Sequence, residues 1–271
     1  MGTHQQTFPL AVDKFQKIAV LIMIELDKIY NEDCLEGMKR IPDGSVDCVI
    51  CDLPYGTTAC AWDSVIPFDK LWEQYRRITK RNAPIVLFGN EPFSTFLRVS
   101  NIKNWKYDWI WDKKMKVGFL NAKKRPLKQY ENISVFSYGN CIYNPQMTKG
   151  VFRNKKSYNN REGNGDGVYR KFGNIDVKND IYYPSNILEY SNAVQKGKVH
   201  PTQKPVALIQ YLIRTYSNEG DTILDNCMGS GTTAIACIME KRNFIGFELN
   251  KEYYEKACKR IQLEMAQPSL F

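Results

Sequence analysis

Thr222-Ile223-Leu224-Asp225-Asn226-Cys227-Met228-Gly229-Ser230-Gly231-Thr232-Thr233 reads as a short apolar strand, a glycine turn and the start of a helix. Gly229 and Gly231 carry no Cβ, so the backbone there can turn tightly and pass close to a ligand. A helix is expected over residues 233–240. Asn243-Phe244-Ile245-Gly246-Phe247 then forms a second strand that stops at Glu248. Strand, glycine loop, helix, strand and acid together make a nucleoside-binding pattern, in which the final acid accepts hydrogen bonds from the ribose hydroxyls. The fold class that follows is α/β.

Working outward, the same alternation continues on both sides. Residues 251–264 close the chain as a helix. Val206, Leu208, Ile209, Leu212, Ile213 and Tyr216 recur at helical spacing just upstream of the loop. Farther upstream, Ile29-Tyr30 leads into a short helix around 35–40. Asp47-Cys48-Val49-Ile50-Cys51 is a buried strand, and Phe68, Leu71, Trp72, Tyr75 and Ile78 mark a helix. Residues 84–88 form another strand and 91–99 another helix. Residues 107–111 and 133–136 read as strands flanking a basic loop, 113–128. Strands alternating with helices imply a doubly wound, mostly parallel sheet. Residues 141–199 break the pattern. Asn, Gly, Lys and Tyr dominate there, and the stretch reads as a loop-rich insert. Residues 1–22 fit the pattern poorly and read as an N-terminal extension.

Composition narrows the class. At 271 residues the chain can bury a full core. No apolar run reaches the roughly 18 residues of a membrane span, so a soluble, cytoplasmic protein is expected. Eight cysteines raise the question of zinc or disulfides. Cys48 and Cys51 are spaced as a pair, but i and i+3 on a strand point to opposite faces. The only histidines are His4 and His200, and no second ligand pair stands at a matching spacing. Neither a metal nor disulfides are expected. The net charge is +9, yet residues 101–199 hold 19 Lys+Arg against 8 Asp+Glu. The basic excess therefore lies wholly in the middle third, and it includes Lys155, Lys156 and Arg170. That footprint suits a polyanion.

The glycine loop alone leaves its ligand open. Gly229-Ser230-Gly231-Thr232-Thr233-Ala234 satisfies the relaxed dinucleotide pattern, so an NAD enzyme competes. Asp225 weighs against it, because a carboxylate there repels a pyrophosphate but attracts an ammonium. S-adenosylmethionine (AdoMet) carries such an ammonium.

Asp52-Leu53-Pro54-Tyr55 ends the strand 47–51. An exocyclic amino group on a nucleobase is a poor nucleophile, because its lone pair is delocalised into the ring. Accepting hydrogen bonds from both of its N–H groups pushes the nitrogen toward tetrahedral geometry. The Asp52 side chain and the Leu53 carbonyl are the two acceptors. Pro54 restricts Leu53 to an extended conformation and so aims that carbonyl. Tyr55 offers a stacking face.

These segments, in this order, resemble the β-class DNA amino-methyltransferases, which act on adenine N6 or cytosine N4. Asp52-Leu53-Pro54-Tyr55 resembles the family's Asp-Pro-Pro-Tyr motif, and residues 225–233 its AdoMet loop. His200-Pro201-Thr202-Gln203-Lys204-Pro205 resembles a segment preceding that loop, and residues 31–35 the opening strand. The resemblance implies an AdoMet-dependent methyltransferase fold with circularly permuted motif order. It divides the chain into a catalytic half (23–140), a target-recognition insert (141–199) and an AdoMet-binding half (200–271).

It also implies that Asp52, Leu53, Pro54 and Tyr55 are catalytic. Asp33, Thr202, Lys204, Asp225, Gly229, Gly231, Thr232, Thr233 and Glu248 hold AdoMet, with Asp33 at its adenine and Thr202 and Lys204 near its carboxylate. The implied partner is double-stranded DNA, with adenine N6 as the target and a homodimer as one option. Cytosine N4, RNA, and a DNA-binding protein without catalysis are the alternatives. Two departures stand out: Leu53 replaces the first proline, and Asn226-Cys227-Met228 replaces the usual Pro-Phe and a small residue. Phe88 and Trp62 read as core aromatics with no site role.

Overall fold

The computed structural model describes residues 24–56, 64–155, 177–192 and 203–266. Residues 1–22, Trp62, Lys156, Arg170 and Thr202 lie outside that set. Eight strands form the main sheet: β1 (Lys28–Tyr30), β2 (Cys48–Cys51), β3 (Ile85–Gly89), β4 (Trp105–Val117), β5 (Lys128–Phe136), β8 (Ile187–Glu189), β9 (Thr222–Asp225) and β10 (Asn243–Phe247). Their order across the sheet is β1-β10-β9-β2-β3-β5-β4-β8. The run from β1 to β3 is parallel throughout. β5 then joins β3 antiparallel, and β4 joins β5 the same way. β9 and β2 are central and buried at every position, as expected of parallel strands covered on both faces.

Helices cover each face. The first three, α1 (Cys34–Met38), α2 (Phe68–Ile78) and α3 (Phe93–Ser100), pack on one side, where Leu71, Tyr75 and Leu97 meet Val49, Cys51 and Leu87. The last three, α4 (Val206–Tyr216), α5 (Thr232–Met239) and α6 (Lys251–Met265), pack on the other, where Leu212 and Ala236 meet Cys48, Ile50 and Val86. The sheet is thus doubly wound, with the helices of each chain half on their own face. Cys48 and Cys51 fall in opposite cores, which separates their thiols. No helix among the described residues is long and apolar enough to cross a membrane.

Two regions differ from the sequence reading. The stretch 113–128 is not all loop. β4 continues through its lysines to Val117, and β5 starts at Lys128. Residues 141–199 contain strands: β6 (Thr148–Lys155) pairs antiparallel with β7 (Val177–Tyr182), and β8 adds itself parallel to β4 at the main sheet's edge. Polar edge strands of this kind carry little of the apolar periodicity that marks buried ones.

The β2–β9 register positions the site. Asp47 just before β2 donates its backbone N–H to Thr222 O at 2.9 Å, and its Oδ2 accepts from Thr222 N at 3.0 Å. The two strands therefore end side by side, delivering Asp52 and Asp225 to the same edge.

Candidate active site

A cavity of about 520 Å³ opens at the C-terminal ends of β2, β3, β9 and β10. Ligand crevices in open α/β sheets lie at this edge. One end is the glycine loop. Asp225 is buried; its Oδ2 accepts from Thr233 Oγ at 2.6 Å and its Oδ1 from Cys227 N at 3.1 Å. Burial pushes the Asp225 carboxyl up to about 6, because no cationic side chain pairs with it among the described residues. Glu248 accepts from Gly229 N and Asn250 N, both at 2.8 Å, and burial raises its pKa too. Asn31 fixes the backbone there by donating to Glu248 O at 2.7 Å.

Gly229 and Gly231 both sit at positive φ, +53° and +78°. Gly229 lines the cavity, while Gly231 does not. A Cβ on Gly231 would come within 3.2 Å of the Ala257 Cβ, so its absence lets α5 start against α6. Thr232 lines the cavity and accepts from Arg260 Nη1 at 3.1 Å. The departures in this loop are each packed. Asn226 accepts from the Tyr75 hydroxyl, and Cys227 sits beside the Cys34 and Cys51 thiols. Met228 lies over Gly246, where a Cβ would fall 2.4 Å from Met228 Cε. Asp33 lines the cavity as the N-cap of α1, its Oδ1 accepting from Leu35 N at 2.8 Å and Glu36 N at 3.2 Å.

The other end is the 52–55 segment. The Tyr55 hydroxyl donates to Asp52 Oδ1, and the Tyr55 ring packs on Phe93 with centroids 4.9 Å apart. Leu53 is 3% exposed, its side chain in the α1–α3 core. Lys204 lies here, with its ammonium on Asp52 Oδ2 and 3.4 Å from Glu131 Oε2. Burial opposes the Lys204 charge, but the Asp52 and Glu131 carboxylates outweigh it and hold the pKa above the ordinary lysine value. Glu131 also bonds Lys113, and despite burial the two lysines hold its carboxyl below the usual glutamate value.

Glu131, Lys113 and Asn90 escaped the sequence reading. A charged residue at the head of the apolar run 133–136 was the available signal for Glu131. Phe88 belongs to the core, as read, but its ring also lies 5.1 Å from Lys204 Nζ. Among the described residues, no group of three or more His, Cys, Asp or Glu side chains is placed to hold a metal ion.

A family model described as DNA methylase, covering N6 and N4 enzymes, matches residues 46–259. This chain belongs to the N6/N4 DNA methylase family. It is 27% identical to the DNA adenine methyltransferase YhdJ of Escherichia coli K12, over 88% of this chain and 84% of that one. The crystal structure of the M1.HpyAVI–SAM complex superposes with a TM-score of 0.59 at 25% identity, covering 86% of this chain and 98% of the other. The PvuII cytosine-N4-specific DNA methyltransferase gives 0.63 at 16% identity, covering 92% and 89%, a likeness of fold. The methyl donor of this family is AdoMet, and the residues fit it. A buried acid without a counter-cation among the described residues faces the cavity at Asp225, and a second acid, Glu248, lines it beside a turn whose Gly229 brings backbone close.

Proposed function

We propose that this methyltransferase modifies adenine N6 in double-stranded DNA, taking the base out of the helix. An amino group inside the stack is out of reach of a side chain, so the nucleotide must be extruded into the cavity. One observation carries the reading. Residues 52–55 and the 225–233 loop face one cavity from the ends of neighbouring strands, which supports an acceptor base and a methyl donor bound side by side.

AdoMet supplies an electrophilic sulfonium methyl when bound. Asp225 neutralises its ammonium, Glu248 accepts from its ribose hydroxyls, and Asp33 faces its adenine. The Asp52 side chain and the Leu53 carbonyl accept from the target N–H groups and bring the nitrogen lone pair out of conjugation. Tyr55 steadies the base, and its hydroxyl orients Asp52. Positioning and desolvation then account for most of the acceleration. The contacts of Lys204 with Asp52 and Glu131 favour a role at the acceptor over one at the cofactor carboxylate.

Residues 141–199 supply target recognition in this reading. The β6–β7 ribbon presents exposed Lys149, Arg153 and Lys178 together with exposed Phe152, a combination suited to phosphates and a groove. The order of segments corresponds to a permuted methyltransferase acting in the cytoplasm, with a homodimer as one assembly. Adenine is favoured because Asp at position 52 resembles the adenine enzymes of the class, and a relative bears that activity in its name. Mass spectrometry of digested product DNA should find N6-methyladenine; N4-methylcytosine instead would overturn the target.

A further inference from the structure

Both Asp52 oxygens are engaged, one by the Tyr55 hydroxyl and the other by the Lys204 ammonium. An ammonium occupies one lone pair of the oxygen it sits on in a strong charge-assisted bond and makes that oxygen a weaker acceptor for a further donor. A second carboxylate stands beside it. Glu131 is 6% exposed, and its Oε2 is buried with no hydrogen bond of its own, 3.4 Å from the same Lys204 Nζ. Its Oε1 takes Lys113 and, at 3.4 Å, Asn90 Nδ2. The Phe88 and Trp111 rings, 5.1 and 5.8 Å from Nζ, hold the cation against this wall. A shift of about 0.5 Å brings Nζ to the usual distance from Glu131 Oε2, and a movement of about 1 Å away from Asp52 takes it out of hydrogen-bond reach of Oδ2. The shift transfers no proton and leaves two acids facing two lysines.

We propose that Glu131 is a positioning residue that takes the Lys204 ammonium off Asp52 when the target amino group arrives, freeing Asp52 as an acceptor. The inference rests on the assignment of Asp52 under Proposed function. It explains why a buried carboxylate oxygen is left open beside a lysine already paired elsewhere.

Glu131→Gln should lower kcat roughly 10- to 100-fold, the worth of a charged hydrogen bond, while AdoMet affinity stays unchanged. Lys204→Met removes the ammonium that must move, so it should lose far less. Adding it to Glu131→Gln should restore most of the lost rate, which a merely structural Glu131 would not allow. An unchanged kcat in Glu131→Gln, or a double variant no faster than that single one, overturns the exchange. So does a Lys204→Met variant as slow as Asp52→Ala.

A measurement without DNA separates this idea from the functional reading. In a crystal structure of Asp52→Asn, Lys204 Nζ should sit about 2.9 Å from Glu131 Oε2. An ammonium still resting on position 52 would refute the exchange whatever the enzyme methylates. Wild-type protein that transfers no tritiated methyl from AdoMet to DNA would instead refute the functional reading.

Discussion

The two ends of the cavity hold buried and half-buried acids in opposite electrostatic conditions. At the glycine loop, Asp225 and Glu248 are satisfied by backbone N–H groups and the Thr233 hydroxyl, and burial raises both pKa values. At the 52–55 segment, Asp52 and Glu131 are paired with Lys204 and Lys113. Burying a charge costs heavily unless it is compensated. The cofactor end is therefore complete only with a cation bound, whereas the acceptor end is complete already and has to be opened. One end is built to wait for a ligand, the other to exchange partners.

The largest effect expected from breaking this contrast is at Asp52. Asp52→Ala should reduce methyl transfer by about 100-fold or more, with AdoMet binding by calorimetry nearly intact. An active Asp52→Ala enzyme would remove the chemical basis of the comparison. At the other end, Glu248→Ala should weaken AdoMet by about 1.5–3 kcal/mol and leave kcat at saturation little changed.

Asp225 tests the missing cation through pH. Its carboxyl titrates at about 6 in the fold, above its ordinary value when unfolded. Its contribution to stability is thus full at low pH and is lost as pH rises through about 6. Asp225→Asn should stabilise the free protein at pH 8 by about 2 kcal/mol. Near pH 4 the gain should vanish, and AdoMet should no longer raise the melting temperature strongly. A variant equally destabilised at both pH values would show that Asp225 carries no charge penalty.

Smaller effects lie outside the cavity and at its margin. Neutralising Lys149, Arg153 and Lys178 on the β6–β7 ribbon should flatten the dependence of log affinity for DNA on log salt by about 0.9 per lost phosphate contact. An unaltered slope would put the duplex elsewhere. Leu53→Pro should keep activity, since the carbonyl remains, and cost about 1 kcal/mol in unfolding because the Leu53 side chain is buried. A large loss of kcat would mean that the leucine, not the carbonyl, sets the acceptor geometry.

The same contrast separates what the sequence disclosed from what it hid. β9 and β10 match the reading residue for residue, since central parallel strands are continuous apolar runs bounded by turns. The helix face from Val206 to Tyr216 was legible for a similar reason: six apolar residues kept one spacing. The glycine loop and its two acids were legible because one local segment delivers them. The acceptor end was only half legible. Asp52 stands in a recognisable tetrapeptide, but its partner Glu131 comes from a strand 79 positions later and Lys204 from 152 positions later. No local pattern links them. β8 was missed because a three-residue edge strand, exposed on one side, has too few buried positions to show a period.

The pairing of early strands with late ones has a consequence for how the chain is made. β1 bonds to β10, and β2 lies between β3 and β9, so β1 has no strand partner and β2 is covered on one edge only until the last quarter of the polypeptide has left the ribosome. Until then β2 offers an unpaired apolar edge, the kind of surface on which nascent chains aggregate. Loop closure over such separations is slow. Synthesis of this protein should accordingly pass through a long stage that depends on holding chaperones, and a message truncated before β9 should yield insoluble protein rather than a weakened enzyme.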